Sequence, residues 1–83
     1  MLPDIKIAHL RTFITVAECG NFRRAANILC RSQPAVSLAI KQLERLLGAE
    51  LFDKQKQGQL TAFGNNFLPQ ATHLYQQYQN NLM

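Results

Sequence analysis

The chain has few cysteines, few acidic residues and no long apolar run, and each shortage excludes a class of protein. Its 83 residues include two cysteines, too few for the disulfide framework of a small secreted domain. No apolar run approaches the roughly 18 residues that a membrane span needs. The first residues lack the basic head and apolar stretch of a secretory signal, so we expect a cytoplasmic protein of one folded unit.

The residue types that carry catalysis or bind metals do not form a recognisable set. His9 and His73 lie far apart and have no carboxylate or cysteine at the spacing of a metal site. The five acids show no pair suited to acid–base chemistry, and no glycine-rich phosphate loop is present. We therefore expect no catalytic residue, no metal and no cofactor.

The charge is unevenly distributed. Nine basic and five acidic side chains give a net charge of +4, and all of them precede Thr61. A basic surplus suggests a polyanionic partner, although solubility alone also accounts for it in many small domains. After Thr61 the chain is rich in glutamine and asparagine on one side and apolar on the other.

Apolar side chains at helical spacing predict three helices in the first half of the chain. The stripe of the first helix consists of Ile7, Leu10, Phe13, Ile14 and Ala17. The short second helix has an apolar face of Phe22, Ala25, Ala26 and Leu29. Gly20 ends the first helix, Asn21 caps the second, and Arg31 alone connects the second to the third.

The third helix has two different faces. Ser32 is a good N-cap, Pro34 is tolerated in the first turn, and Gly48 ends the helix. The predicted core stripe consists of Val36, Ile40, Leu43 and Leu47. At roughly 100° per residue, the opposite face is polar and basic, and it carries Gln33, Pro34, Ser37, Leu38, Lys41 and Arg45.

The pattern changes after the third helix. Residues 50–54 and 59–61 flank a polar turn that contains Gly58, and they predict a small two-stranded hairpin. Thr61 caps a fourth helix, in which Pro69 should cause a bend. Its apolar positions approximate a coiled-coil seam and are Phe63, Phe67, Ala71, Leu74, Tyr78 and Leu82.

This order of elements predicts a winged helix-turn-helix, with the hairpin over 50–61 as the wing. The third helix would enter the major groove of DNA, where side chains of its first turns reach base edges. The predicted base contacts are Gln33, Pro34, Ser37 and Leu38. The side chains expected to neutralise phosphates are Arg23, Arg31, Lys41 and Arg45, with Lys54 and Lys56 on the wing.

Simpler interpretations stay open for each of these features. Ser32 and Pro34 are also what an ordinary helix start requires, and Lys41 and Arg45 also suit a solvated face. The wing lysines also suit an edge strand that avoids aggregation. A winged helix that binds proteins is the main alternative function, and a small helical accessory subunit of an enzyme is a second.

The residues resemble the N-terminal DNA-binding domain of LysR-type bacterial transcriptional regulators over nearly the whole chain. The resemblance is carried by residues 9–13 (HLRTF), 20–26 (GNFRRAA), 32–37 (SQPAVS), 43–44, 47–48, 51–52 and 60–64 (LTAFG). It implies a mainly α winged helix-turn-helix domain over 1–62, with the helix-turn-helix itself over 22–41, and a dimerising linker helix over 63–83. It also implies a C-terminal effector-binding domain in the full-length protein.

The family's pattern assigns its base-contacting positions to the four residues already named. It assigns the wing contacts to Lys54–Gln57, so Gln57 joins the phosphate and wing set. We also include Ser32 in this set. Leu38 stands where many members have arginine, and Lys54 replaces an arginine that would bind bidentately. We expect a homodimer on double-stranded DNA, with dimer contacts from Phe67, Ala71, Leu74, Tyr78 and Leu82.

Overall fold

The computed structural model describes residues 5–81, which form four α-helices and confirm the mainly helical class. They are α1 (Ile7–Cys19), α2 (Phe22–Leu29), α3 (Gln33–Leu47) and α4 (Ala62–Asn81). Gly20 and Gly48 end α1 and α3 as predicted, with φ of 66° and 73° in the left-handed region. No helix within residues 5–81 is long and apolar enough to cross a membrane.

Side-chain caps begin α2, α3 and α4 where the sequence predicts them. The Arg24 amide donates to Asn21 Oδ1 at 3.0 Å, and the Gly64 amide donates to Thr61 Oγ1 at 3.0 Å. The connector between α2 and α3 is longer than the predicted single residue, because Cys30 leaves the helix in the left-handed conformation with φ of 56°. The reversal between two helices thus needs one residue outside helical geometry before Arg31.

An aromatic cluster joins α1, α2, α4 and the loop that follows α3. Phe52 lies in this loop, and its ring centroid is 5.7 Å from that of Phe13 in α1 and 5.2 Å from that of Phe22 in α2. Phe13 also packs on Phe67 of α4 at 5.6 Å. Phe52 therefore fixes the start of the loop to the helical core, because such aromatic pairs add to the free energy gained by burial.

The first half of α4 belongs to the core of the same chain. Gly64, Phe67 and Ala71 are buried, and a Cβ at Gly64 would collide with the Leu51 carbonyl oxygen. Phe67 and Ala71, two of the predicted dimer contacts, pack against this chain's own helices, so little of either side chain is left exposed for a second protomer. The predicted contact Leu82 lies outside the described residues.

The two-stranded wing predicted over 50–61 is not formed as a ladder in the described chain. One antiparallel bridge joins Phe52 and Leu60, and residues 53–59 form bends and a turn. Two backbone bonds flank this bridge: the Asp53 amide donates to the Gln59 carbonyl at 2.8 Å, and the Thr61 amide to the Leu51 carbonyl at 3.0 Å. We call residues 51–60 the wing loop.

Competing acceptors explain why the ladder stops at one bridge. The Leu51 amide, which would return a bond to Thr61, donates instead to Glu44 Oε2 at 2.7 Å. The Gln59 amide, which would return a bond to Asp53, donates instead to the Lys56 carbonyl at 3.1 Å. Each neighbouring residue pair therefore makes one of the two bonds that an antiparallel ladder requires.

Candidate nucleic-acid interface

The polar face of α3 begins at a well-capped helix terminus. Ser32 Oγ accepts a hydrogen bond from the Ala35 amide at 3.2 Å, and Pro34 lies in the first turn. Pro34 is tolerated there because the first amides of a helix have no partner within it. These features place Gln33 and Pro34 at the exposed start of the helix.

Burial of the opposite face sets the rotation of α3. Val36, Ile40 and Leu43 are buried against the other helices, as their spacing predicts. The predicted recognition side therefore faces outward: Gln33, Pro34 and Leu38 are exposed, and Ser37 is half-buried. Leu38 is 56% exposed, which leaves its methyl groups available for a contact.

The wing loop and α3 form the two walls of an open cleft of about 300 Å³. α3 contributes Gln33, Ser37 and Lys41, and the wing loop contributes Lys54 and Gln57. The structure thus brings together five predicted contact residues from segments separated by more than a dozen positions. The Glu44 and Asp53 carboxylates also line the cleft, so its two lysines are balanced by two acids. An open cleft lined by amide, hydroxyl and charged groups suits a ligand with hydrogen-bonding edges.

The other predicted residues lie outside this cleft, and some of them line two neighbouring cavities. Arg23 lines an adjoining cavity with Gln33 and Gln57, next to the turn between α1 and α2. Leu38 and Arg31 line a separate groove between α3 and the start of α1. The side chains that are exposed but line none of these three cavities include Ser32, Arg45 and Lys56.

Most basic side chains around the cleft have no acidic partner among the described residues. Among residues 5–81, the only side-chain ion pair joins Lys54 Nζ to Glu50 Oε1 at 4.0 Å, and both side chains are more than half exposed. Such a pair contributes little, since water and salt screen it. Lys41 and Arg31 have no carboxylate within ion-pair distance in this part of the chain. The cations are therefore available to an external anion.

One residue of the interface was missed by the sequence analysis. The Glu44 carboxylate on α3 accepts hydrogen bonds from the Leu51 amide at 2.7 Å and the Phe52 amide at 3.4 Å. It is half-buried and links the recognition helix to the first residues of the wing loop. A single acid beside the basic face of α3 was the available signal, but its partners are backbone amides that no side-chain pattern reveals.

The second half of α4 presents apolar side chains to solvent. Leu74 is 45% exposed and Tyr78 is 40% exposed, whereas Phe67 is buried. The Tyr75 ring packs toward Tyr78 at 6.4 Å, and Tyr75 also contacts the core. The predicted dimer contacts are thus divided by burial, and Leu74 and Tyr78 form the part that this chain does not cover.

Comparison with known proteins identifies relatives over most of the chain. Residues 7–65 match the sequence model of the bacterial regulatory helix-turn-helix proteins of the lysR family. The regulator CitR of Bacillus subtilis is 43% identical over 74 residues, covering 88% of this chain and 25% of CitR. The uncharacterised regulator YdcI of Escherichia coli is 46% identical over 71 residues, covering 84% of this chain and 23% of YdcI. The chain thus spans about a quarter of the length of these curated relatives.

Solved structures share the arrangement of the helices. DarR of Vibrio fischeri in complex with DNA superposes with a TM-score of 0.91 at 32% identity, covering 95% of this chain and 27% of DarR. The BenM DNA-binding domain in complex with its catB site 1 DNA gives a TM-score of 0.88 at 32% identity, covering 94% and 85%. The chain therefore belongs to the LysR family of bacterial helix-turn-helix regulators, and it forms the DNA-binding domain of that family.

Proposed function

We propose that the chain binds specific sequences of double-stranded DNA as a two-fold dimer, with α3 in the major groove and the wing loop toward the minor groove. The observation that carries this proposal is the single cleft shared by Gln33, Ser37 and Lys41 of α3 and Lys54 and Gln57 of the wing loop. A helix fits the major groove, and a neighbouring loop then lies over the sugar–phosphate backbone.

Base recognition would come from the first turns of α3. The Gln33 amide is exposed and can pair bidentately with adenine, and the Ser37 hydroxyl both donates and accepts. Pro34 and Leu38 offer apolar surface that suits the methyl group of thymine. Leu38 reaches the DNA from the opposite side of α3 to the wing loop, so the helix reads bases on both sides of its axis.

Phosphate contacts would hold the helix in register without reading sequence. Lys41 and Arg45 lie along the exposed side of α3, and Arg23 lies beside the cleft at the start of α2. Arg31, in the connector before Ser32, completes a basic border around the recognition residues. Lys54 and Lys56 would extend this border toward the minor groove.

The second half of α4 supplies the proposed dimer contact. Leu74 and Tyr78 are exposed on a helix that carries no charged side chain, so a second copy of α4 can cover them without burying charge. Two protomers related by a two-fold axis would place two copies of α3 on one face of DNA, and the operator would be an imperfect palindrome. In the whole cytoplasmic regulator, an effector-binding domain would follow α4.

Substitution of Tyr78→Asp tests the dimer. A carboxylate at this position would lie unpaired in the apolar contact, so we expect the variant to be a monomer at concentrations where the parent chain is a dimer. Sedimentation velocity measures the difference, and the exposed Gln76→Asp on the same helix is the matched control for added charge. A dimer that persists in Y78D would remove this face from the interface.

Titration of a labelled duplex at several salt concentrations tests the function itself. Neutralising six phosphates would give a slope of log affinity against log salt of roughly −5, because each phosphate contributes about −0.9. Fluorescence anisotropy with a pool of duplex sequences measures the slope, and selection from the pool then identifies the preferred operator. Weak binding with no salt dependence would favour the alternative, a winged helix that binds proteins.

A further inference from the structure

The Glu44 carboxylate on α3 is hydrogen-bonded to the first residues of the wing loop. Its Oε2 accepts from two successive amides, those of Leu51 at 2.7 Å and Phe52 at 3.4 Å. Beyond these bonds, the wing loop is held by one bridge, by the buried side chains of Leu51 and Phe52, and by the close packing of Gly58 on the Gly20 carbonyl. In the described chain, this one bridge joins the two sides of the loop in place of a strand ladder.

The Glu44 carboxylate has no basic partner among residues 5–81, where the only ion pair joins Lys54 and Glu50. Glu44 nevertheless lines the cleft together with Lys41 and Lys54. Both lysines could approach a carboxylate there, yet its bonds go to the backbone of the wing loop. Its negative charge lies on the side of the molecule that would face phosphate.

Simple electrostatics and this geometry predict opposite effects of removing Glu44. A carboxylate beside a DNA-binding cleft repels phosphate, so its removal by itself should strengthen DNA binding. If its hydrogen bonds position the wing loop, its removal should weaken DNA binding, because Lys54 and Gln57 would no longer be held opposite α3. The sign of the change therefore separates the two roles.

We propose that Glu44 is a positioning residue for DNA binding, and that it sets the distance between α3 and the wing loop so that both contact one duplex. This proposal rests on the proposed DNA-binding function and adds to it the residue that couples the two contact regions. The coupling is a charge-assisted hydrogen bond from backbone to carboxylate, which is stronger and shorter than a neutral one.

A double-mutant cycle between Glu44 and the wing lysines tests the proposal on the full 83-residue chain. In the parent chain, Lys54→Ala with Lys56→Ala removes two phosphate contacts, so the salt slope should fall by about 1.8 and affinity by on the order of tenfold at 0.1 M salt. Glu44→Ala should by itself cause a similar loss. With E44A in place, the two lysine substitutions should weaken binding no further.

Two further variants separate positioning from folding and from charge. Glu44→Gln retains one carbonyl acceptor and should recover part of the lost affinity. Glu50→Ala removes the same charge near Lys54 without breaking a backbone hydrogen bond, and it should leave DNA affinity unchanged or raise it. Circular dichroism checks that the helices remain folded in each variant. A variant that is merely destabilised would lose helical signal.

The outcomes distinguish failure of this proposal from failure of the proposed function. Stronger DNA binding by E44A, or full additivity with the lysine substitutions, would overturn the positioning role while leaving DNA binding intact. If the parent chain does not bind DNA, amide hydrogen exchange still reports the hydrogen bonds between Glu44 and the wing loop. Exchange at Leu51 and Phe52 that is equally slow in E44A and E44Q as in the parent chain would overturn it.

Discussion

α3 and the wing loop carry the same kinds of side chains that we propose face DNA, but different interactions hold the two regions in place. α3 is fixed by a buried apolar stripe of Val36, Ile40 and Leu43 and by caps at both ends. The wing loop has one bridge, and its first amides donate to a carboxylate on α3. The loop, whose Leu51 and Phe52 side chains also reach the core, therefore depends partly on α3 for its position, whereas α3 is positioned by the core.

This difference has a consequence for specificity. Side chains on a rigid helix can be held within the narrow geometry that bidentate base contacts need. A loop with few backbone bonds can adapt to the phosphate backbone, which requires charge more than exact direction. The proposed roles, base reading by α3 and phosphate binding by the wing loop, agree with how firmly each region is held.

We expect the largest loss of stability from a substitution in the core that supports both regions. Leu43→Ala deletes a fully buried side chain on α3 and should lower the free energy of unfolding by about 2–5 kcal/mol. A chain of this size has little stability to spare, so DNA binding by both regions should be lost. Leu46 on the same helix is 37% exposed, and L46A should cost less than about 1 kcal/mol. Chemical denaturation compares the two; equal losses would place Leu43 outside the core.

A smaller effect should disturb the wing loop alone. Gly58 has φ of +85°, and an added Cβ would collide with the Gly20 carbonyl oxygen between α1 and α2. Gly58→Ala should therefore cost roughly 3 kcal/mol and displace the loop, because neither the backbone conformation nor the contact tolerates a side chain.

Gly48 is the matched control for Gly58. Its φ is +73°, but nothing lies within 4 Å of an added Cβ. Gly48→Ala should therefore cost only about 1 kcal/mol, from backbone strain. Denaturation measures both variants, and an anisotropy titration of G58A should show a flatter salt slope with sequence preference retained. Loss of preference in G58A with an unchanged salt slope would contradict the assignment of roles.

The smallest effects should separate base reading from phosphate binding within α3. Gln33→Ala should weaken binding to the preferred operator by about 1–3 kcal/mol and relax preference at one base position. Lys41→Ala should weaken binding to all sequences alike and reduce the salt slope by about 0.9. Competition between specific and random duplexes measures both changes. The assignment would fail if K41A changed base preference while Q33A left it unaltered.

The helices could be predicted from the sequence because their signals are local. Asn21, Ser32 and Thr61 accept hydrogen bonds from amides three residues further on, and Gly20 and Gly48 end the preceding helices. A side-chain cap and a left-handed glycine need no information from distant parts of the chain. The outward direction of the recognition face followed from the same periodicity.

The wing loop and the division of α4 depend on contacts between distant residues. The Leu51 amide has two competing acceptors, and nothing in a strand pattern shows that Glu44 would take it. Phe67 and Tyr78 lie on one apolar stripe, but only the packing of α1 determines that Phe67 is covered within the chain and Tyr78 is not. Periodicity identifies a buried face without identifying what buries it.

The central claim is that α3 and the wing loop contact DNA as one surface. NMR titration of the isotopically labelled chain with a duplex selected for binding tests it most directly, residue by residue. We expect the amide signals of residues 33–41 and 54–57 to shift together with one affinity, while Ile28 and Glu18, which are exposed but line none of the three cavities, stay unchanged. Shifts confined to α3, or centred on residues outside the cleft, would contradict a shared surface.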